Sequence, residues 1–335
     1  MFNLLKCAIV GATGLVGSMF LRVLEEKNLK IDEYVLFASQ KSAGKTTIFM
    51  NKEYTINELK EDSFENEKFD YALFSAGSMV SEKYCKLAAK SGTIVIDNSS
   101  AFRMNPDVPL VVPEVNKENI FKNNGIISNP NCSTIQAVTI LKPLNDNYKL
   151  KRVIYSTYQA VSGAGILGIK DLENTSKGIK AVKFDYPIYN NCIPKIDVFT
   201  ENGYTKEEMK MVLETKKILA LPNLDITATC VRVPVKNCHS ESINIEFENE
   251  FEITNLKQIL NLQDGVIVLD DINNNIYPIP TFVDGKDEIF VGRIRRDYSV
   301  KNGINLWCVS DNIRKGAATN AVQILEILVN KRLGI

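Results

Sequence analysis

Histidine is the scarcest reactive residue: the 335-residue sequence holds one, His239. Any step that needs an imidazole near neutral pH has this single residue to use. Net charge is missing too, because 40 Lys and Arg balance 40 Asp and Glu. No basic tail or charge block occurs, which argues against nucleic acid or an anionic membrane as the main partner. No uncharged run reaches the roughly 18 residues of a transmembrane helix. The nearest candidate, CAIVGATGLVGSMFL between Lys6 and Arg22, has the length of a signal-peptide core. Its regularly spaced glycines, and the single positive side chain before it, read instead as folded structure in a cytoplasmic protein. The seven cysteines are odd in number, scattered and without C-x-x-C pairs, so neither a disulfide framework nor a zinc site is expected. A reducing compartment fits that usage. Internal repeats and low-complexity tracts are lacking as well.

The apolar content, 45%, and the length suit two domains with substantial cores. Leu4 to Val10 reads as a buried parallel strand. Gly11-Ala12-Thr13-Gly14-Leu15-Val16-Gly17 follows, and then a helical pattern with Met19, Phe20, Val23 and Leu24. This is a G-x-x-G-x-x-G variant of the dinucleotide turn, in which glycines let backbone approach a pyrophosphate at a helix N-terminus. A tight turn without ligand is the competing reading. The second strand, Tyr34 to Ala38, ends in Ser39-Gln40-Lys41-Ser42-Ala43-Gly44-Lys45 with no acid. Hydroxyls and lysines there favour a 2′-phosphate, hence NADP, over the ribose hydroxyl of NAD. Further strands end in Ser75-Ala76-Gly77 and in Asn98-Ser99-Ser100-Ala101-Phe102-Arg103. Alternating strands and helices predict a Rossmann-type doubly wound parallel sheet with these turns at its ligand-facing edge. Arg103 is then either an anion ligand or a surface arginine.

The chain turns on Asn129-Pro130-Asn131-Cys132-Ser133-Thr134. Pro130 keeps Asn129 out of helix, Asn131 is a good N-cap, and Cys132 falls in the first helical turn. Such a thiol feels the helix dipole and unpaired N–H groups, both of which favour the nucleophilic thiolate. A buried cysteine acting as a small hydrophobe is the alternative. Beyond it the pattern changes to long alternating strands, near 152–161, 226–235, 242–248, 289–295 and 304–309. They predict an α+β domain with a largely antiparallel sheet. We place an NADP-binding domain at 1–131, completed by a C-terminal helix at 312–335, and a second domain at 132–311. In the second domain Gln159 is a neutral donor at an apolar strand end, and Ser162-Gly163-Ala164-Gly165 is a glycine-rich turn. Arg232 shares a strand face with Ala228 and Cys230, where it needs an anion, from a ligand or from an ion pair. His239 follows a strand, where a surface residue is the ordinary outcome. A helix-start cysteine, one histidine, an NADP-type turn and two anion-seeking arginines fit one chemistry. A thiolate attacks an acyl phosphate or aldehyde, and the thioester exchanges hydride with the cofactor.

The blocks GATGLVG, DNSSAFR, VPEVN, NPNCST, TYQAVSGAG, IPKIDVFTENGYTKEEMK, RVPV, HSES, VGRIR and DNIRKGAATNAVQ resemble the aspartate-β-semialdehyde dehydrogenase family along nearly the whole chain. The resemblance implies reduction of L-aspartyl-4-phosphate by NADPH to L-aspartate-4-semialdehyde and phosphate, in lysine, threonine, methionine and diaminopimelate synthesis. It implies Cys132 as nucleophile, His239 as acid/base and Gln159 as the group orienting the carbonyl. Arg232 and Glu207 would hold the amino-acid end; Arg103, Asn131 and Lys210 would hold phosphate. By spacing alone, Glu207 and Lys210 read as a solvated i,i+3 ion pair. The cofactor would meet Gly11, Thr13, Gly14, Leu15, Val16, Ser39, Lys41, Ser42, Ser75, Gly77, Ser162, Gly163 and Asn312. No metal is implied, and a homodimer is, with pairing into tetramers left open. Two departures stand out. Lys41 replaces a usual arginine, and Cys238 replaces a usual glycine or alanine, adding a thiol near the site. A reductase of another acyl phosphate, such as N-acetylglutamyl phosphate, or a non-catalytic NADP sensor are the other readings.

Overall fold

A computed structural model describes residues 4–335. The first three residues assigned to the cofactor domain lie outside the described residues. The chain forms two units, one running to Pro130 and resuming at Ala317–Ile335, the other Asn131–Gly316.

The first unit carries strands β1 (Lys6–Val10), β2 (Glu33–Ala38), β3 (Thr46–Phe49), β4 (Lys52–Glu58), β5 (Tyr71–Phe74), β6 (Ile94–Asp97) and β7 (Ile126–Ser128). Their order is β3-β4-β2-β1-β5-β6-β7, parallel throughout except for the β3–β4 hairpin. Alternate residues face opposite cores. Cys7, Ile9, Leu73 and Ile96 join one cluster, while Ala8, Val10, Phe74 and Val95 join another. Both faces are therefore covered, as the continuous apolar strands require. Among the helices of nine residues or longer, α1 (Leu15–Lys27) and α2 (Ser78–Lys90) lie here. The C-terminal helix (Asn320–Leu333) buries Ala321, Ile324, Leu325 and Leu328 in the first of those clusters. The β3–β4 hairpin is not announced by the residue pattern. Its two-residue turn puts Met50 and Asn51 at φ 51° and 58°, a primed turn whose first position lacks the usual Asn or Gly signal.

The second unit holds β8 (Leu150–Gln159), β9 (Asp225–Arg232), β10 (His239–Phe247), β11 (Val266–Val268), β12 (Ile289–Asp297) and β13 (Gly303–Ser310), in the order β11-β12-β13-β10-β8-β9. The central pairings are antiparallel, and those at the two edges, β8–β9 and β11–β12, are parallel. Helices α3 (Cys132–Tyr148), α4 (Ile166–Thr175), α5 (Lys206–Leu219) and α6 (Ile253–Asn261) complete it, α3 packing on β8, β10 and β13. The C-terminal helix is α7. Among the described residues, no helix is long and apolar enough to cross a membrane.

Candidate active site

The strand register of the second unit sets a row of polar side chains across one buried sheet face. Gln159 pairs with Arg232, His239 pairs with Ser310, and the pairing of Tyr158 with Ser240 brings Gln159 and His239 side by side. All four side chains of the row are buried. Over it starts α3. Asn131 caps that helix as its sequence suggests, its Oδ1 accepting from the N–H groups of Ser133 (3.1 Å) and Thr134 (3.4 Å). Cys132, the first helical residue, is half-buried. Gly316 packs against it, and a Cβ there would stand 2.8 Å from the Cys132 Cβ. A Cβ on Gly163 would meet Arg232 Nη1 at 2.9 Å and His239 Nε2 at 3.2 Å, so glycine alone lets this turn close on both.

Glu207 is the hub of the site. Its Oε1 accepts from Asn131 Nδ2 (2.9 Å) and Gln159 Nε2 (3.0 Å), and its Oε2 from Lys210 Nζ (3.0 Å). Burial works against its ionised form, but the Lys210 charge and these hydrogen bonds outweigh it and hold the pKa of the carboxyl at about 2. Lys210 also bonds Asp197 at 3.0 Å. The pair is thus no solvated ornament, since Glu207 is sealed and joins three other site residues. Glu214, one helical face further along α5, accepts the Asn131 N–H at 2.7 Å. The i, i+3, i+7 spacing of Glu207, Lys210 and Glu214 was the available signal for it.

Arg232 is 5% exposed, donates from Nη1 to the Ala160 carbonyl at 2.6 Å, and has no ion-pair partner among the described residues. Burial drives its ionisation down, opposed by the charge of Glu207 and by interaction with Cys132. A buried guanidinium without a carboxylate is costly, which marks it as an anion site. His239 does not sit after a strand but opens β10, fully buried. Its Nδ1 accepts from the Ala160 N–H at 3.0 Å, so the neutral ring carries its proton on Nε2, which finds no partner among the described residues. Burial first, and the Arg232 charge second, lower its ionisation to about 3. Cys238 is also sealed: it sits at φ 71° in an apolar cluster with Val283, Phe290 and Val309, and burial pushes its thiol up. Cys238, Asp284 and Asp311 lie close enough together to resemble a metal-ligand set. The Asp311 carboxylate, however, already accepts from the N–H groups of Gly285, Ile313 and Arg314. Asn312 exchanges hydrogen bonds with Ser162 (3.0 Å) and accepts from the Cys238 N–H (2.9 Å), so it ties the glycine turn to the start of β10.

The first unit holds the dinucleotide-type turn. Gly11 has φ 85°, and a Cβ there would stand 2.3 Å from the Ser75 carbonyl oxygen; one on Gly17 would stand 2.0 Å from that of Gly11. Helices α1 and α2 start at Gly14 and Gly77 with no side-chain cap, at the ends of the paired strands β1 and β5. Their N–H groups and the bare backbone form a cradle that fits a pyrophosphate. Leu15 and Val16 are half-buried in the first turn of α1. Thr13 Oγ1 and Ser42 Oγ lie 3.4 Å apart, and Ser39 and Lys41 are exposed. Arg103 is buried in this unit, and donates to the carbonyls of Asn129 and Asn98, both at 2.9 Å.

Residues 6–123 match the family model described as semialdehyde dehydrogenase, NAD binding domain, and residues 141–315 match semialdehyde dehydrogenase, dimerisation domain. Aspartate-semialdehyde dehydrogenase of Aquifex aeolicus is 55% identical, over 98% of this chain and 99% of its own. Aspartate semialdehyde dehydrogenase II of Vibrio cholerae, solved in complex with ASA, is 45% identical with a TM-score of 0.93, over 98% of this chain and 99% of its own. The Candida albicans enzyme, solved with NADP, is 27% identical with a TM-score of 0.78, over 98% and 99%.

Proposed function

The chain belongs to the aspartate-semialdehyde dehydrogenase family, and from that premise we propose that it interconverts L-aspartyl-4-phosphate and L-aspartate-4-semialdehyde with NADP(H) and inorganic phosphate. The observation that carries this reading is the buried, anion-less guanidinium of Arg232 in the same row as a neutral His239, beneath the helix start that presents Cys132. An amino acid's carboxylate answers that charge, and Glu207 is left to meet its ammonium group. Cys132 Sγ attacks the C4 carbonyl, the C–O bond to phosphate breaks, and a thioester on Cys132 results. Gln159, fixed by Glu207 and by Thr157 Oγ1 (3.0 Å to its Oε1), orients the carbonyl. The Nε2–H of His239 donates to the oxyanion. NADPH, when bound, supplies the hydride that takes the acyl group to the aldehyde level. Arg103, Asn131 and Lys210 serve the phosphate.

A substrate carboxylate on Arg232 cancels the positive charge that helps hold the imidazole neutral, so its affinity for a proton rises when substrate is bound. With its proton on Nε2 and Nδ1 engaged by the Ala160 N–H, His239 holds the oxyanion as a hydrogen-bond donor, and the thiol proton leaves with the departing phosphate. Gly11, Thr13, Gly14, Leu15 and Val16 hold the pyrophosphate, Ser39, Lys41 and Ser42 the 2′-phosphate, and Ser75, Gly77, Ser162, Gly163 and Asn312 the remainder of the cofactor. The enzyme works as a homodimer through its second unit, in the cytoplasm, and serves lysine, threonine, methionine and diaminopimelate synthesis. The test is NADPH formation from aspartate semialdehyde, with and without phosphate. Strictly phosphate-dependent turnover is expected. Faster turnover with N-acetylglutamate semialdehyde would indicate the sister reaction, and cofactor binding without turnover would indicate a sensor.

A further inference from the structure

Six buried side-chain atoms of the second unit find no hydrogen-bond partner among the described residues: Ser133 Oγ, Gln136 Oε1, His239 Nε2, Ser310 Oγ and both carboxyl oxygens of Glu241. They are not scattered. His239 and Ser310 belong to the row described above. Glu241 stands in the next row along the same face, opposite Thr157 on β8 and Cys308 on β13. Thr157 in turn pairs with Cys230 on β9, and all four residues of this second row are fully buried. Gln136 reaches over the row, its Nε2 lying 3.6 Å from Cys308 Sγ. Ser133 and Gln136 lie close enough to Glu241 to act on its ionisation without meeting hydrogen-bonding geometry.

Packing does not account for a glutamate here. Further along β10 the inward positions are Ile243, Ile245 and Phe247, all sealed and apolar. Apart from the Tyr155 hydroxyl, which bonds Thr215, the polar residues of this face lie in the two rows at the His239 end of β10. Among the described residues no cation faces Glu241: the charged and titratable groups around it are Glu207 on α5, Tyr155 on β8, Cys230 on β9 and Cys308 on β13. Burial therefore keeps it as the neutral acid, which offers one O–H donor besides its acceptors. Converging donors and acceptors with no direct partners are what an internal water bridges, since such a water needs two to four polar contacts.

We propose that Glu241 is a positioning residue for the thiol: with Ser133 and Gln136 it encloses bridging water and pins the first turn of α3, and with it Cys132, against the His239 row. The proposal rests on Cys132 being the nucleophile. The test compares wild type, Glu241→Gln, which keeps size and hydrogen-bonding groups, and Glu241→Leu, which keeps size alone. Three quantities are read: kcat, KM for aspartate semialdehyde, and the rate at which iodoacetamide alkylates the Cys132 peptide, followed by mass spectrometry. Glu241→Gln should stay within about threefold of wild type in all three. Glu241→Leu should lose about tenfold to a hundredfold in kcat with KM little changed, as expected when a reacting atom is displaced by a fraction of an ångström. Its Cys132 should alkylate more slowly while the exposed Cys192 does not change. Wild-type kcat and alkylation in Glu241→Leu would overturn the proposal. So would equal losses in the two variants, which would assign Glu241 a transferable proton instead. Should Glu241→Leu fail to fold, Gln136→Leu attacks the same cluster from α3, and the same two readings decide. A wild type that never turns over aspartate semialdehyde would refute the proposed function, while the alkylation rates would still decide the role of Glu241.

Discussion

The substrate side of the second unit and the cofactor turn of the first are built in opposite ways. Around Cys132 the work falls to side chains. Glu207, Gln159, Asn131, Arg232 and His239 are all buried, and most are paired with one another before any ligand arrives. Around Gly11 the work falls to the backbone: bare N–H groups, a glycine at φ 85°, and polar side chains such as Lys41 that stand in solvent. A buried, low-dielectric cluster makes each charge expensive to disturb. An exposed rim is screened, and its charges are individually weak. The same kind of substitution should therefore cost far more on one side than on the other.

Removing the proposed nucleophile should give the largest effect. Cys132→Ala should lower turnover by roughly 10⁴–10⁶-fold, with Cys132→Ser close behind, while NADPH still binds. Cys238→Ala should keep most activity. Substantial rate in Cys132→Ala, measured by NADPH formation, would break the assignment. Next comes His239→Asn, with an expected loss of about 10²–10⁴-fold. Its acid stability tests the burial argument separately. The folded imidazole ionises at about 3 against an ordinary 6.5, so on acidification the unfolded chain takes the proton first. Wild-type stability should thus fall as pH drops from 6.5 towards 3, by up to about 1.4 kcal/mol per pH unit. Between 6.5 and 4.5, above the range where Glu207 contributes, the variant should lose less on acidification in denaturant melts. The same slope in both would mean that the imidazole is not held neutral.

Arg232→Leu should cost about 2–5 kcal/mol in use of the semialdehyde, because it leaves a substrate carboxylate unpaired. Arg103→Leu should instead raise the KM for phosphate. The single histidine makes one more measurement clean: in Arg232→Leu the lone imidazole signal in a proton NMR titration should move to higher pH. An unmoved titration would show that Arg232 does not act on His239. The smallest effect belongs to the rim. Lys41→Ala should weaken NADPH about threefold to tenfold and leave NADH almost unchanged. Gly11→Ala, on the backbone of the same turn, should impair both cofactors far more, since its Cβ would collide with the Ser75 carbonyl. Equal losses of NADPH and NADH in Lys41→Ala would remove the 2′-phosphate from its reach.

What the order of residues reveals follows the same division. The strand, turn and helix at Gly11 and the cap at Asn131 are local, and residue order alone specifies them. Alternation along β9 puts Arg232 on the covered face with Ala228 and Cys230. His239 is obscured because His-Ser-Glu-Ser looks like a solvated stretch. Polar residues in a sealed row invert the usual sign of the pattern, so neither the depth of the histidine nor the presence of Glu241 behind it shows in the order of residues. Glu207 illustrates the same limit, since an E-x-x-K step on a helix gives no hint that three other side chains will converge on the carboxylate. The β3–β4 hairpin escapes for a smaller reason, a methionine at a left-handed turn position.

The distribution of the thiols has a pharmacological consequence. Cys7, Cys85, Cys230, Cys238 and Cys308 are sealed, and burial pushes each of them towards the protonated, unreactive form. A soft electrophilic drug therefore meets two targets on the native chain, not seven: the half-buried Cys132 and the exposed Cys192. Cys192 competes with Cys132 for reagent. A covalent warhead carrying a carboxylate would be drawn to Arg232, and so away from Cys192, and the charge of the compound more than its intrinsic reactivity would set its selectivity.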